Sequence, residues 1–195
     1  MRLSRLIASA SVVLALAVST LATTGTPAAA VPTGLPYGYD TAQTFGLGPD
    51  ASCKLHLKGD WHSFVQYKDP FFWVRSILIS DAVFAEGDYC QIGPYTLEQS
   101  DGDLRLLRPD GVALWCLCYL PGTSTSKPFY AYFQGFDGNL VSYTWAGGEA
   151  VRATNTCCAT RRHLALQTDG NLVIYQYNAV YNTYTAVWAS NTAQG

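Results

Sequence analysis

Charge is scarce in this chain, and so is any helical rhythm. Lysine and arginine number 12, aspartate and glutamate 14, and together they are only 13% of 195 residues, with a formal net charge of −2. Without a basic excess there is no electrostatic footprint for nucleic acid. Histidine is rare as well, at three residues. His56 and His62, on either side of Asp60, could be drawn as a metal site, but their spacing matches no ligand pattern and they read as a polar loop. No Ser-His-Asp or Cys-His arrangement can be placed. A small glycosidase could use carboxylates such as Asp60, Asp69 or Glu86, yet isolated acids occur in any domain and define no site. Apolar residues, in contrast, make up 49%, enough to fill a core and too many for a disordered chain.

From Ser76 to Gly195 no stretch sustains a 3.6-residue period, turn signals recur, and short runs are rich in Val, Leu, Tyr and Trp. That is an all-β pattern. Residues 1–30 stand apart. Arg2 and Arg5 precede a mostly apolar run from Leu6 to Ala22, and Ala28-Ala29-Ala30 offers a small-residue cleavage site. The layout is that of a secretory signal peptide, so the mature chain is expected outside the cell and not inserted in a membrane. Cleavage removes two arginines and no acid, taking the net charge from −2 to −4. Residues 31–74 form an N-terminal extension of no evident role, loop-like at first and then aromatic, ending in Phe71-Phe72-Trp73. So much aromatic surface is expected to pack on the main domain, residues 75–195. The six cysteines, Cys53, Cys90, Cys116, Cys118, Cys157 and Cys158, read as disulfides in an exported chain, with 15 pairings open.

The most informative stretch is Gln167-Thr168-Asp169-Gly170-Asn171-Leu172-Val173-Ile174-Tyr175. On a strand, alternate side chains share a face, so Gln167, Asp169, Asn171, Val173 and Tyr175 offer amides, a carboxylate, a small apolar patch and a phenol to one surface. Such a set suits a polyhydroxylated ligand, whose hydroxyls both donate and accept. Asp-Gly between alternating apolar residues signals a hairpin. A three-residue loop, Asp169-Gly170-Asn171, is expected, with Gln167 opposite Val173 and Leu166 opposite Ile174. Leu164, Leu166, Leu172 and Ile174 then turn inward.

Gln-x-Asp-x-Asn-x-Val-x-Tyr resembles the mannose-binding motif of the bulb-type (monocot mannose-binding) lectins. The chain also repeats itself: Asp101-Gly102-Asp103-Leu104 recurs as Asp137-Gly138-Asn139-Leu140 and as Asp169-Gly170-Asn171-Leu172. Each copy closes on a related strand, at Ala113-Leu114-Trp115, at Ala150 to Thr156 and at Ala186 to Thr192. The resemblance covers about residues 74–192. It implies a β-prism of three antiparallel sheets around a pseudo-threefold axis, with Trp115 and Trp188 in the shared core and Arg152 replacing tryptophan in the middle copy. It also implies a secreted, metal-independent lectin for mannose-type glycans, with no cofactor and often a homodimer. Gln167, Asp169, Asn171, Val173 and Tyr175 would be the complete site. In the second copy Asp137, Asn139, Val141 and Tyr143 match, but Gly135 stands where glutamine belongs, and Gln134 is one residue off unless a bulge restores it. The first copy reads Gln99, Asp101, Asp103, Arg105, Leu107 and is degraded. The family commonly has a cysteine in a hairpin loop, where this chain has Gly102, Gly138 and Gly170. Its cysteines gather where the first and second copies end, and bridges between the Cys116/Cys118 and Cys157/Cys158 pairs are expected. Some bacterial members of the family are bacteriocins, which usually join two such domains; one is found here.

Overall fold

The computed structural model describes residues 35–36, 38–39, 42–60, 63–68, 74–119, 128–144 and 148–194. The expected signal segment, His62, Asp69 and Phe71-Phe72-Trp73 lie outside these. Among the described residues the chain is all-β. Its strands are β1 (Ala42–Gly48), β2 (Ala51–Leu57), β3 (Phe64–Lys68), β4 (Ser76–Ser80), β5 (Ala82–Ala85), β6 (Tyr89–Ile92), β7 (Tyr95–Ser100) and β8 (Asp103–Leu107). They continue as β9 (Ala113–Leu117), β10 (Pro128–Gln134), β11 (Asn139–Thr144), β12 (Ala150–Ala153), β13 (Arg162–Gln167), β14 (Leu172–Asn178) and β15 (Thr183–Ala189).

Each Asp-Gly turn joins two strands and is followed by a third. The triplets are β7-β8-β9, β10-β11-β12 and β13-β14-β15, all antiparallel. The second pairing of each triplet slips register at one place, between Leu106 and Leu107, Ser142 and Tyr143, and Ile174 and Tyr175. These positions are equivalent in distance from the preceding Asp-Gly, so each outer strand is bent at the same point.

Hydrogen bonding makes two sheets where three were expected. A five-stranded sheet runs β15-β14-β13-β4-β3, and a ten-stranded one runs β12-β11-β10-β5-β2-β6-β7-β8-β9 with β1 on β2. The cause is the extension. β2 pairs with β5 through His56 and Leu57 and with β6 through Ala51 to Lys54, which joins two triplets into one hydrogen-bonded unit. β3 likewise adds an edge to β4. The alternation Ala51, Cys53, Leu55, Leu57 sends these side chains into the main core, beside Ile77, Ile79, Phe84, Phe133, Leu164, Leu166, Leu172 and Ile174. Trp115 and Trp188 are only partly buried and meet edge to face, centroids 5.4 Å apart, against that core. Arg152 stands opposite Ser142, as Trp115 stands opposite Leu106 and Trp188 opposite Ile174.

The cysteines pair differently from the expectation. Cys53 bridges to Cys90, its cross-strand partner on β6, while Cys116 bridges to Cys118 and Cys157 to Cys158. The pairs near the ends of the first two triplets close on themselves rather than on each other. His56 is likewise no loop residue. It is buried in β2, with Nδ1 2.6 Å from Asp88 Oδ2. Asp88 Oδ2 also accepts from the Ala85 amide at 2.9 Å, and Lys54 Nζ stands 3.4 Å from Asp88 Oδ1. A buried carboxylate is tolerable only with partners of this kind.

Candidate functional site

The third hairpin is the starting point. Leu166 pairs with Leu172, Ala165 with Val173 and Leu164 with Ile174. The loop is therefore Thr168-Asp169-Gly170, not Asp169-Gly170-Asn171, and Gln167 faces Asn171, whose carbonyl accepts the Gln167 amide at 3.0 Å. Two local features fix it. Asp169 Oδ1 accepts the Asn171 amide at 2.9 Å. Gly170, not Asn171, takes the left-handed conformation, with φ +80. A side chain at Gly170 would also meet the Tyr95 ring, since a Cβ there lies 2.6 Å from it. The correction to the register is two residues, an even number, so no side chain changes face. Leu164, Leu166, Leu172 and Ile174 join the main core, while Val173 and Tyr175 cluster on the other face with Leu78 and Ala165.

The polar atoms of this site are partly committed to holding one another. Gln167 Nε2 donates to the Tyr175 hydroxyl at 3.3 Å. Asn171 Oδ1 accepts from Ser190 Oγ at 2.9 Å and from the Thr192 amide at 3.3 Å. Thr192 Oγ1 donates to the Gly170 carbonyl at 2.7 Å, and the Leu172 amide donates to Ser190 Oγ at 2.9 Å. The segment after β15 thus clamps the loop. Asp169 Oδ2, Asn171 Nδ2 and Gln167 Oε1 make no hydrogen bond among the described residues. An acceptor, a donor and a second acceptor thus gather beside Val173 and the Tyr175 phenol; Asp169 and Asn171 are partly exposed, while Gln167, Val173 and Tyr175 are buried. Burial raises the Tyr175 pKa, against a smaller lowering from Gln167, so the phenol keeps its proton at neutral pH.

The second hairpin reproduces the arrangement through a loop one residue longer. Gln134 pairs with Asn139 and Tyr132 with Val141. The loop 135–138 absorbs the extra residue at Gly135, whose amide donates to Asp81 Oδ1 at 3.1 Å. A Cβ at Gly135 would lie 2.7 Å from Asp81 Cβ, so glycine is needed there. Gln134 consequently occupies the place of Gln167, and its Nε2 donates to the Tyr143 hydroxyl at 2.7 Å. The expectation that Gln134 points the other way is overturned by loop length, with no bulge in β10 at that point. The clamp also recurs. Asp137 Oδ1 accepts the Asn139 amide at 2.9 Å, Asn139 Oδ1 accepts from the Thr156 amide at 3.1 Å and from Thr154 Oγ1 at 3.2 Å, and Thr156 Oγ1 donates to the Gly138 carbonyl at 2.8 Å. Asn155 and Asn191, between the clamping residues, both adopt positive φ, at 56 and 57. In the sequence, Thr154-Asn155-Thr156 and Ser190-Asn191-Thr192 stand out only as the ends of two repeats. Their hydroxyls at two-residue spacing, around an asparagine suited to a left-handed turn, were the available signal.

In the first hairpin these relations fail. Gln99 pairs with Leu104 and Ser100 with Asp103, across a two-residue loop in which Asp101 and Gly102 have φ 53 and 83. That loop turns Gln99 inward, where both its amide atoms are buried without a hydrogen-bond partner. Asp103 takes the place of Asn171, but one carboxylate oxygen accepts the Tyr119 amide at 2.6 Å and the other pairs with Arg105 at 3.1 Å. Arg105 and Leu107 supply neither the apolar floor nor the phenol.

No family model matches this chain, and no curated protein does. Among solved structures the chain is similar to one titled "Japanese Marasmius oreades lectin", from Marasmius oreades. The two are 26% identical, the match covers 57% of this chain and 87% of that one, and the TM-score is 0.43.

Other candidate chemistry is engaged elsewhere. Glu86 Oε1 accepts the Asp101 amide at 2.9 Å, and Asp60 Oδ1 accepts the Ser63 amide at 3.1 Å. Asp103, Cys116 and Cys118 lie close enough to hold a metal ion among the described residues, but the two sulfurs are bridged and both oxygens of Asp103 are taken.

Proposed function

We propose that this protein is a secreted, non-enzymatic, metal-independent lectin for mannose-type glycans, with two binding sites per chain. They are Gln167, Asp169, Asn171, Val173 and Tyr175, and Gln134, Asp137, Asn139, Val141 and Tyr143. The observation that carries this reading is the match between the two loops. Different loop lengths converge on one hydrogen-bonded scaffold, and in both the same atoms make no hydrogen bond among the described residues: one Asp oxygen, the Asn amino group and the Gln carbonyl. Adjacent sugar hydroxyls, each a donor and an acceptor, complement that set. A site with so few free polar atoms binds a single sugar weakly, and two sites per chain raise avidity for a branched glycan. We read the three strand triplets as faces of a prism with pseudo-threefold character, two of them joined by β2.

Calorimetric titration of mannose tests this. Asp169→Asn leaves an oxygen to cap the Asn171 amide but turns an amino group toward the ligand, so it should weaken the third site by about 1.5–3 kcal/mol. Tyr175→Phe should cost about 0.5–1.5 kcal/mol. Asp101→Asn, in the first hairpin, should change nothing. Failure of the unmodified protein to bind any mannose-type glycan, or loss of binding on Asp101→Asn with Asp169→Asn unaffected, would remove the proposal.

A further inference from the structure

Beyond Tyr175 the outer face of the five-stranded sheet continues as a chain of aromatic rings. Tyr175 meets Tyr184 edge to face at 6.4 Å, Tyr184 meets Tyr177 at 4.9 Å and His163 at 5.9 Å, and His163 meets Phe64 at 5.5 Å. Tyr175 itself is buried, and the other four rings are only partly buried. Phe64, His163, Tyr177 and Tyr184 line a cleft of about 900 Å³, which Gly135 and Phe136 of the 135–138 loop also line. Phe136, at the tip of that loop, is 63% exposed. The same Gly135 that lengthens the loop and restores Gln134 also places Phe136 at the cleft.

The charges around the cleft largely answer one another. Its lining sets Lys58 and Arg161 against Asp60 and Asp81, with Lys58 Nζ 3.8 Å from Asp60, and Asp81 Oδ1 also accepts from the Tyr132 hydroxyl at 2.8 Å and from the Gly135 amide. The cleft therefore presents no field of one sign to attract an anion or a cation. It presents aromatic faces with hydroxyls between them, and its volume falls in the range of small-molecule sites. A sugar ring has one polyhydroxylated edge and C–H faces that lie flat on an aromatic ring.

We propose that this cleft is an extension subsite for a neutral oligosaccharide whose end residue is held at Gln167, Asp169, Asn171 and Tyr175. The inference rests on the reading of those residues as a sugar site. Continuity decides the occupant: Tyr175 belongs to that site and its ring touches Tyr184, the first ring of the cleft, so a chain leaving the site runs along the aromatic wall toward Phe136.

The test uses the full chain carrying Gln134→Ala, so that only the third site titrates. Mannose and linear manno-oligosaccharides of increasing length are titrated in, with and without Phe136→Ala or Tyr184→Ala. Affinity should rise about tenfold from mannose to the longer chains. Each cleft substitution should abolish most of that rise while leaving mannose affinity unchanged. Phe136 is exposed, so its truncation does not threaten folding and keeps the test decisive if the Tyr184 variant misfolds. Equal affinity for all lengths, or a length effect that survives Phe136→Ala, would overturn the subsite and leave the monosaccharide site standing. Absence of mannose binding in the unmodified chain would instead overturn the reading on which it rests.

Discussion

Gln99 and Gln134 carry the same side chain into opposite surroundings. Gln134 reaches the outer face and bonds Tyr143, whereas Gln99 lies among Leu97, Leu104 and Leu106 with both amide atoms unbonded. A buried polar group without a partner costs about 1–3 kcal/mol, so Gln99→Leu should raise the unfolding midpoint in denaturant by a comparable stability increment and leave glycan binding unaltered. A lower midpoint would contradict it. Gln134→Ala should do the reverse, halving the calorimetric stoichiometry with little effect on the fold. The sequence reveals which residues can share a face, because a register error of two leaves parity intact. It does not reveal Gln134, because nothing in alternation tells a three-residue loop from a four-residue one. The contact that settles the matter, Gly135 on Asp81, joins residues 54 apart in the chain.

At the level of strands and loops, each working site needs a third partner. Thr192 donates its amide to Asn171 Oδ1 and its hydroxyl to the Gly170 carbonyl. Thr192→Val keeps the shape and removes the hydroxyl. It should weaken mannose binding at the third site by about 0.5–1.5 kcal/mol, the range for one neutral hydrogen bond, while the second site titrates normally. Equal weakening of both sites would point to a global effect instead. The hairpins and their inward leucines were legible from periodicity and turn chemistry. β2 was legible in principle, since Ala51, Cys53, Leu55 and Leu57 alternate strictly with Ser52, Lys54 and His56. It was missed because a buried histidine reads as a loop residue until its partner is known, and Asp88 lies 32 residues away. The merger of two triplets through β2 was not legible, because alternation says that a strand has a core face but not which edges it joins.

Two properties belong to the whole molecule. The first is its response to alkali. Burial raises the pKa of Tyr39 to about 12 and also raises those of Tyr130, Tyr132, Tyr143, Tyr175 and Tyr184. In the unfolded chain tyrosines ionise near pH 10, as they do in model peptides. The unfolded form therefore loses protons before the folded form does. Stability should be full below about pH 10 and fall as pH rises through the folded-state values, a trend that melting temperature measured across that range would reveal or refute. The second is covalent. Cys53 and Cys90 are both fully buried and 37 residues apart, and their bridge ties the extension to the first strand triplet through β2 and β6. Closing a loop of that size restricts the unfolded chain by about 4 kcal/mol in the chain-entropy model. The other two bridges span separations of 2 and 1 and leave the unfolded chain nearly as free as before. Replacing Cys53 and Cys90 by alanine should thus destabilise the protein by several kcal/mol, and the melting transition should drop far more than it does when Cys116 and Cys118, or Cys157 and Cys158, are replaced. β2 is also the strand that makes one sheet of two triplets, so its loosening should expose Leu55 and Leu57 to solvent and to proteolysis. Equal stability losses from all three pairs, or none from Cys53 and Cys90, would show that hydrogen bonds to β5 and β6 hold the extension without the covalent tie.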